Sequence, residues 1–119
     1  SLVEACLSAR RLDLLSRVLS EHHHTNGAAT LSAPTYGSMI KAFGQARDVA
    51  RVRSLWQEMV KLGVQPTAIT LGCMIEALVA NRCPDDAWEL VQKIWDDEAQ
   101  RPLVNTVIFT TILKGFSTQ

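Results

Sequence analysis

The sequence lacks most of the features that would name a mechanism at once. Its three cysteines, Cys6, Cys73 and Cys83, are odd in number and form no C-x-x-C pair. That argues against a disulfide framework or a finger-type zinc site, and for reduced thiols in a cytosol-like or organelle-matrix compartment. Excess charge of one sign is missing: Lys+Arg and Asp+Glu are 12 each. A strongly basic nucleic-acid-binding domain is therefore excluded. No apolar run approaches the roughly 18 residues of a membrane helix, so no membrane is expected as a partner. No charged, apolar, then small-residue N-terminus marks a targeting signal. A Gly-rich phosphate loop, a Ser/His/Asp order and a dinucleotide fingerprint are all absent, so no enzyme and no cofactor is indicated. Period-two alternation is absent too, which excludes a sheet. His22-His23-His24 is the one run that invites a metal, but consecutive helical residues point about 100° apart and cannot converge on an ion.

What is present is a repeat. The 119 residues are 47% hydrophobic, enough for one small domain. Thr35-Tyr36-Gly37-Ser38-Met39-Ile40-Lys41-Ala42-Phe43 lines up with Thr70-Leu71-Gly72-Cys73-Met74-Ile75-Glu76-Ala77-Leu78, 35 residues on. Ile108 to Phe116 follows the same template after a further 38 residues, and Leu2 to Cys6 precedes it by 37. A second segment repeats as well: Val52, Leu55, Trp56, Gln57 and Met59 match Ala87, Leu90, Val91, Gln92 and Ile94. Apolar spacings of three and four mark amphipathic helices. Breakers at Gly27, Pro34, Gly63, Pro66 and Pro102 separate them. The pattern predicts helices over 1–9, 11–24, 33–46, 48–62, 68–81, 84–99 and 105–117. The expected fold is all-α, an α-solenoid of antiparallel helix-turn-helix repeats in a single domain. Its units are 1–32 (partial), 33–67, 68–105 and 106–119 (first helix only). The opening inside an apolar pattern suggests a chain cut from something longer.

The segment Pro34-Thr35-Tyr36-Gly37-Ser38-Met39-Ile40, then Leu55-Trp56-Gln57-Glu58-Met59, then Gly63-Val64-Gln65-Pro66 resembles the pentatricopeptide repeat, whose pattern runs roughly V-T-Y-N-x-L-I, L-F-E-E-M, G-x-x-P. The resemblance implies a right-handed superhelix and binding of single-stranded RNA in mitochondria or plastids, in RNA processing, stability or translation. One repeat meets one base. Base choice in the family rests on two residues per unit, and a bulky apolar residue wedges between bases. Carried over, the wedges are Pro34, Ile69 and Val107. The first selecting positions are Gly37, Gly72 and Thr110, and the unit-ending ones are Ser32, Thr67 and Asn105. The family's phosphate-meeting lysine is replaced by Gln45, Ala80 and Thr118. Glycine offers no side-chain donor or acceptor, so two units should read bases loosely.

The residues themselves add further expectations. Gly37, Lys41 and Gly44 share one helical stripe, matched by Gly72, Glu76 and Val79 and by Thr110, Lys114 and Ser117. Its charge alternates through Glu4, Lys41, Glu76 and Lys114, which would hold a phosphate backbone weakly. Ser32, Thr67 and Asn105 are also good helix N-caps. Trp56 belongs to core or inter-unit packing, and Trp88 and Trp95 share an outer face. Arg47, Arg51 and Arg53 cluster near one turn and read as a solvated face, with a phosphate contact as the alternative. Val107, Ile112 and Phe116 should pack on unit 68–105 or on another copy of the chain, giving end-to-end self-association. The chain alone should bind RNA weakly. Neutral charge and two glycines at selecting positions favour a second function, a protein-interaction scaffold. A third is an RNA-holding arm of an enzyme whose catalytic domain lies elsewhere.

Overall fold

The computed structural model describes residues 5–7, 9, 11–15, 17 and 31–117. Its helices are α1 (Ala33–Gln45), α2 (Val49–Lys61), α3 (Ala68–Ala80), α4 (Pro84–Asp96) and α5 (Thr106–Ser117), with a 3-10 turn at Arg101–Leu103 before α5. Residues 5–7 and 12–15 are also helical. The remainder of the two helices expected over 1–24 falls outside the described residues, as do Glu4 and the three histidines.

Each helix starts and stops for local reasons. Asp48 accepts from Arg51 N–H at 3.2 Å and caps α2. Cys83 precedes α4 without a side-chain cap, and Pro84 with Asp85 and Asp86 supplies the start instead. Three helix ends close in the same way. Arg47, Gly63 and Arg82 have φ of 64°, 77° and 62°. In each case the next N–H reaches back five residues: Asp48 to Phe43 O, Val64 to Met59 O and Cys83 to Leu78 O, at 2.8–3.0 Å. This is the Schellman closure, which satisfies the last carbonyls and reverses the chain.

The first helices α1, α3 and α5 stack side by side, and α2 and α4 form the outer layer. Tyr36, Met39, Ile40 and Phe43 of α1 meet Val52, Leu55 and Met59 of α2 beneath Leu71, Ile75 and Leu78 of α3 in one buried cluster. Ile108 and Ile112 extend that cluster into α5. Ile40, Ala42 and Phe43 of α1 recur as Ile75, Ala77 and Leu78 of α3, and this large, small, large order is the packing register. Tyr36 OH donates to Glu58 Oε2 at 2.7 Å, tying α1 to its own second helix. Burial, reinforced by the Glu58 carboxylate, pushes the phenol well above its ordinary value. On the outer layer Arg53 pairs with Asp86 at 2.5 Å across the units.

Candidate nucleic-acid interface

The wedge residues occupy one place on three successive helices. Pro34, Ile69 and Val107 are each the second residue of α1, α3 and α5, and all three are exposed. Ile69 is 78% accessible and Val107 67%. Next to them, the unit-ending residues act as caps. Ser32 Oγ accepts from Thr35 N–H at 3.4 Å, Thr67 Oγ1 from Thr70 N–H at 3.1 Å and Asn105 Oδ1 from Ile108 N–H at 3.0 Å. Each satisfies a helix N–H that would otherwise lack a partner. All three caps remain exposed, and Asn105 spends only its oxygen, keeping its NH₂ donors.

The stripe expected for the selecting positions is open at Gly72 and Thr110 and closed at Gly37 and Gly44. Gly37 and Gly44 are buried in the seam between α1 and α3, Gly72 is half-buried and Thr110 is exposed. A Cβ at Gly37 would stand 3.6 Å from Thr70 Cα and 3.8 Å from Cys73 Sγ. One at Gly44 would stand 2.7 Å from Ala77 Cβ, closer than real carbon pairs approach. At Gly44 the absence of a side chain is what admits α3, whereas Gly37 lines the same seam at a distance where a methyl would make ordinary contact. Gly72 faces open space, with nothing within 4 Å of a built Cβ. Thr110 Oγ1 donates to Thr106 O at 2.8 Å, so its proton is spent on its own helix and its lone pairs remain.

Lys41, Glu76 and Lys114 are exposed at equivalent places on α1, α3 and α5. Cys73 reports their proximity. Burial pushes its thiol up, Glu76 adds to the rise and Lys41 opposes it. Lys41 and Glu76 thus act with opposite sign on one point of the wall.

Two residues that tie the wall together were not singled out in the sequence. Thr70 Oγ1 donates to Ala33 O at 3.2 Å. Asn81 Nδ2 donates to Gly44 O at 3.0 Å and to Ala77 O at 2.7 Å. The bonds to Ala33 O and Gly44 O cross from α3 or its terminus to α1. The signal available was the Thr35/Thr70 repeat itself, with Thr70 fully buried. The tryptophans lie elsewhere. Trp56 is buried, while Trp88 and Trp95 line an outer cavity of about 420 Å³ with Phe109. Of Val107, Ile112 and Phe116, expected to pack on unit 68–105 or on another copy of the chain, Ile112 is buried against the preceding helices, while Val107 belongs to the exposed row and Phe116 is 41% accessible. Among the described residues no three His, Cys, Asp or Glu side chains gather to hold a metal ion, and no helix is long and apolar enough to cross a membrane.

Stacked first helices, capped and pinned in register behind a row of exposed apolar residues, define a helical-hairpin solenoid. Family models agree on which one. The PPR repeat family matches residues 32–80 and the PPR repeat matches residues 69–97. The chain belongs to the pentatricopeptide repeat family. Similar proteins include a mitochondrial pentatricopeptide repeat-containing protein of Arabidopsis thaliana, 30% identical over 64 residues, which is 54% of this chain and 8% of the relative. A chloroplastic one from the same plant is 29% identical over 86 residues, 72% of this chain and 9% of the relative. The chain thus spans less than a tenth of the length of these relatives.

Proposed function

We propose that these repeats bind single-stranded RNA in a mitochondrion or plastid, as a non-catalytic array serving RNA processing, stability or translation. The observation that carries the reading is the repeat-phased row Pro34, Ile69 and Val107. Single exposed apolar side chains are ordinary, but three at one helical position, each two residues after a polar cap, form a ladder between which bases can insert. Ser32, Thr67, Asn105 and Thr110 supply polar atoms beside that ladder, and Lys41 and Lys114 supply cations. Gly37 and Gly72 supply no side-chain group, so the two central units accept bases with little discrimination.

Stacking contributes about 1–3 kcal/mol per base on an aromatic surface, and an aliphatic wedge no more. Two or three units then reach only the millimolar range, near −4 kcal/mol. NMR titration of the chain with mixed-sequence RNA oligonucleotides reads that range directly. Shifts at Ile69, Asn105, Val107 and Thr110, weakened in Ile69→Ala, are the expected result. An unchanged spectrum at millimolar RNA and low salt overturns the reading.

A second reading has its own observation. Phe109, Leu113 and Phe116, spaced four and three apart on α5, are exposed, and Phe109 shares the outer cavity with Trp88 and Trp95 of α4, 6.4 Å from Trp88 between ring centres. This continuous apolar face suits end-to-end association of copies. Sedimentation at rising concentration tests it, and a strictly monomeric chain counts against it.

A further inference from the structure

The left-handed turn residues raise a question that the packing leaves open. The residue just past a Schellman-closed helix is usually Gly, sometimes Asn, because a Cβ is unfavourable there. Gly63 follows that rule. Arg47 and Arg82 do not, although they close α1 and α3 in the same way, with nearly equal φ of 64° and 62°. Each bears a β-carbon where it costs stability, so something other than the turn geometry is served.

Both side chains are exposed. The other arginines of residues 31–117 have partners. Arg51 pairs with Asp48 at 3.4 Å and lies over Phe43. Arg53 pairs with Asp86. Arg101 donates to Trp95 O at 2.8 Å and covers that ring. Arg47 and Arg82 make no such bond among the described residues. The nearest acid in sequence to Arg47, Asp48, is committed to Arg51 through both its backbone N–H and its guanidinium.

The two turns are also fastened to each other. Gly44 O accepts from Arg47 N–H at 3.1 Å and from Asn81 Nδ2 at 3.0 Å. One carbonyl thus binds the residue that precedes Arg82 and the backbone of Arg47. With α1 and α3 in Gly-to-Ala contact, the turns sit about one helix spacing apart, roughly 8–10 Å. In sequence, the template places Arg10 at the same point of the first unit, 37 residues before Arg47; Arg10 lies outside the described residues.

We propose that Arg47 and Arg82 form a phosphate-binding ridge along the hairpin-turn edge of the solenoid, one guanidinium per unit, taking the phosphodiester backbone of single-stranded RNA. The inference rests on the RNA reading and deepens it. The wall of first helices alternates in charge and cannot hold the backbone by itself. At the turn edge Asp48 is paired with Arg51 and Asp86 with Arg53, which leaves the Arg47 and Arg82 guanidiniums with Asp85 as the exposed acid near them, and Arg offers planar, forked donors that match phosphate oxygens. Bases enter from the wedge row while the backbone follows the ridge.

Glycine is the informative substitution, because it removes the cation and also relieves the left-handed backbone. The Arg47→Gly/Arg82→Gly chain should be no less stable than the parent in urea unfolding. It should bind a mixed-sequence single-stranded RNA oligonucleotide more weakly. The slope of log affinity against log salt should be shallower by about 0.7 for each lost phosphate contact, about 1.4 for both. Arg47→Lys/Arg82→Lys should restore most of the slope. An unchanged slope in the glycine variant overturns the ridge. NMR separates the two readings: shifts at Ile69 and Val107 without shifts at the Arg47 and Arg82 side chains leave the base-binding wall standing and remove the ridge. Shifts at the arginines alone keep the ridge and remove the wall, and shifts at neither remove both.

Discussion

The seams α1/α3 and α3/α5 make the same contact with opposite parts. In the first, the earlier helix provides the glycine: Gly44 sits under Ala77. In the second, the later helix provides it: Gly115 sits under Val79, whose Cγ1 would be 2.8 Å from a built Cβ. Val79 is the repeat equivalent of Gly44, and Gly115 of Ala77. Size is exchanged across the seam while the sum stays small enough for close approach. Polar pinning differs more. Thr70 and Asn81 both donate from α3 and its terminus to backbone carbonyls of the α1 unit. In α5 the slot of Thr70 holds Ile108, buried but unable to donate. Among the described residues, backbone contact and hydrogen bonds fix the first seam, and apolar side chains pack the second. The expectation this sets is a first seam more rigid than the second.

The largest expected effect tests that distinction. Gly44→Ala places a methyl against Ala77 Cβ and within 3.1 Å of Ala77 Cα, where no side chain can rotate away. Overpacking of this kind costs about 1–3 kcal/mol. Separating the helices also loosens the Asn81 bond to Gly44 O. Gly115→Ala meets the methyls and Cβ of Val79 first, a side chain that can turn, and should cost about 1 kcal/mol, at the low end of the same range. Urea midpoints of the two variants give the order. Gly44→Ala combined with Ala77→Gly rebuilds the exchange used by the second seam and should recover most of the loss. An additive double variant would show that the two seams are not interchangeable.

Helix existence was legible because period and breakers agreed. The expected segments 33–46, 48–62, 68–81 and 105–117 each fall within about one residue of α1, α2, α3 and α5, an ordinary end uncertainty. The expected 84–99 runs three residues past α4. Asp97 Oδ1 accepts from Ala99 N–H at 3.0 Å, so a local turn competes with the last helical turn, where acids are also unfavourable. The caps at Ser32, Thr67 and Asn105 were equally readable, since each residue type and its spacing are local properties. Gly37 and Gly44 were not. Periodicity says which residues share a face, but Gly is neither apolar nor polar enough to say whether that face meets a neighbour or solvent. Only the distance to Thr70, Cys73 and Ala77 decides it. The bonds from Thr70 and Asn81 were hidden for the same reason, being contacts 37 residues apart in sequence.

A moderate effect is expected from the hydrogen bonds of the first seam. Thr70→Val keeps the shape and removes the donor to Ala33 O, for a loss of about 0.5–1.5 kcal/mol. Because Thr70 Oγ1 also meets Thr67 Oγ1 at 3.0 Å, the cap of α3 loses support as well. Ile108→Thr should give the second seam a donor at the matching place. If Thr70→Val leaves the urea midpoint unchanged, the polar difference between the seams has no energetic meaning. Tyr36 supplies a pH test within α1 and α2. Its phenol is held above the ordinary value by burial and by Glu58. The stabilisation is therefore complete below about pH 10, where the unfolded phenol titrates, and is lost as pH rises toward the folded value. The stability gap between the parent and Tyr36→Phe should be constant from neutral pH to that point and shrink above it.

The smallest effect should carry the opposite sign. Gly72 occupies the interior of α3, and a built Cβ meets nothing within 4 Å. Gly72→Ala then gains helix propensity without a clash, raising stability by about 0.5–1 kcal/mol. Gly37→Ala is the matched variant in the tight seam, where the added carbon makes ordinary contact with Thr70 and Cys73 at 3.6–3.8 Å. Its gain should be smaller, because the neighbours leave no slack for the methyl. Equal gains would mean that the first seam relaxes as readily as the second. A loss at Gly72 would mean that the open space beside α3 is filled, in the folded chain, by α5 moving closer than its apolar contacts hold it here. That outcome would erase the contrast between the rigid and the yielding junction.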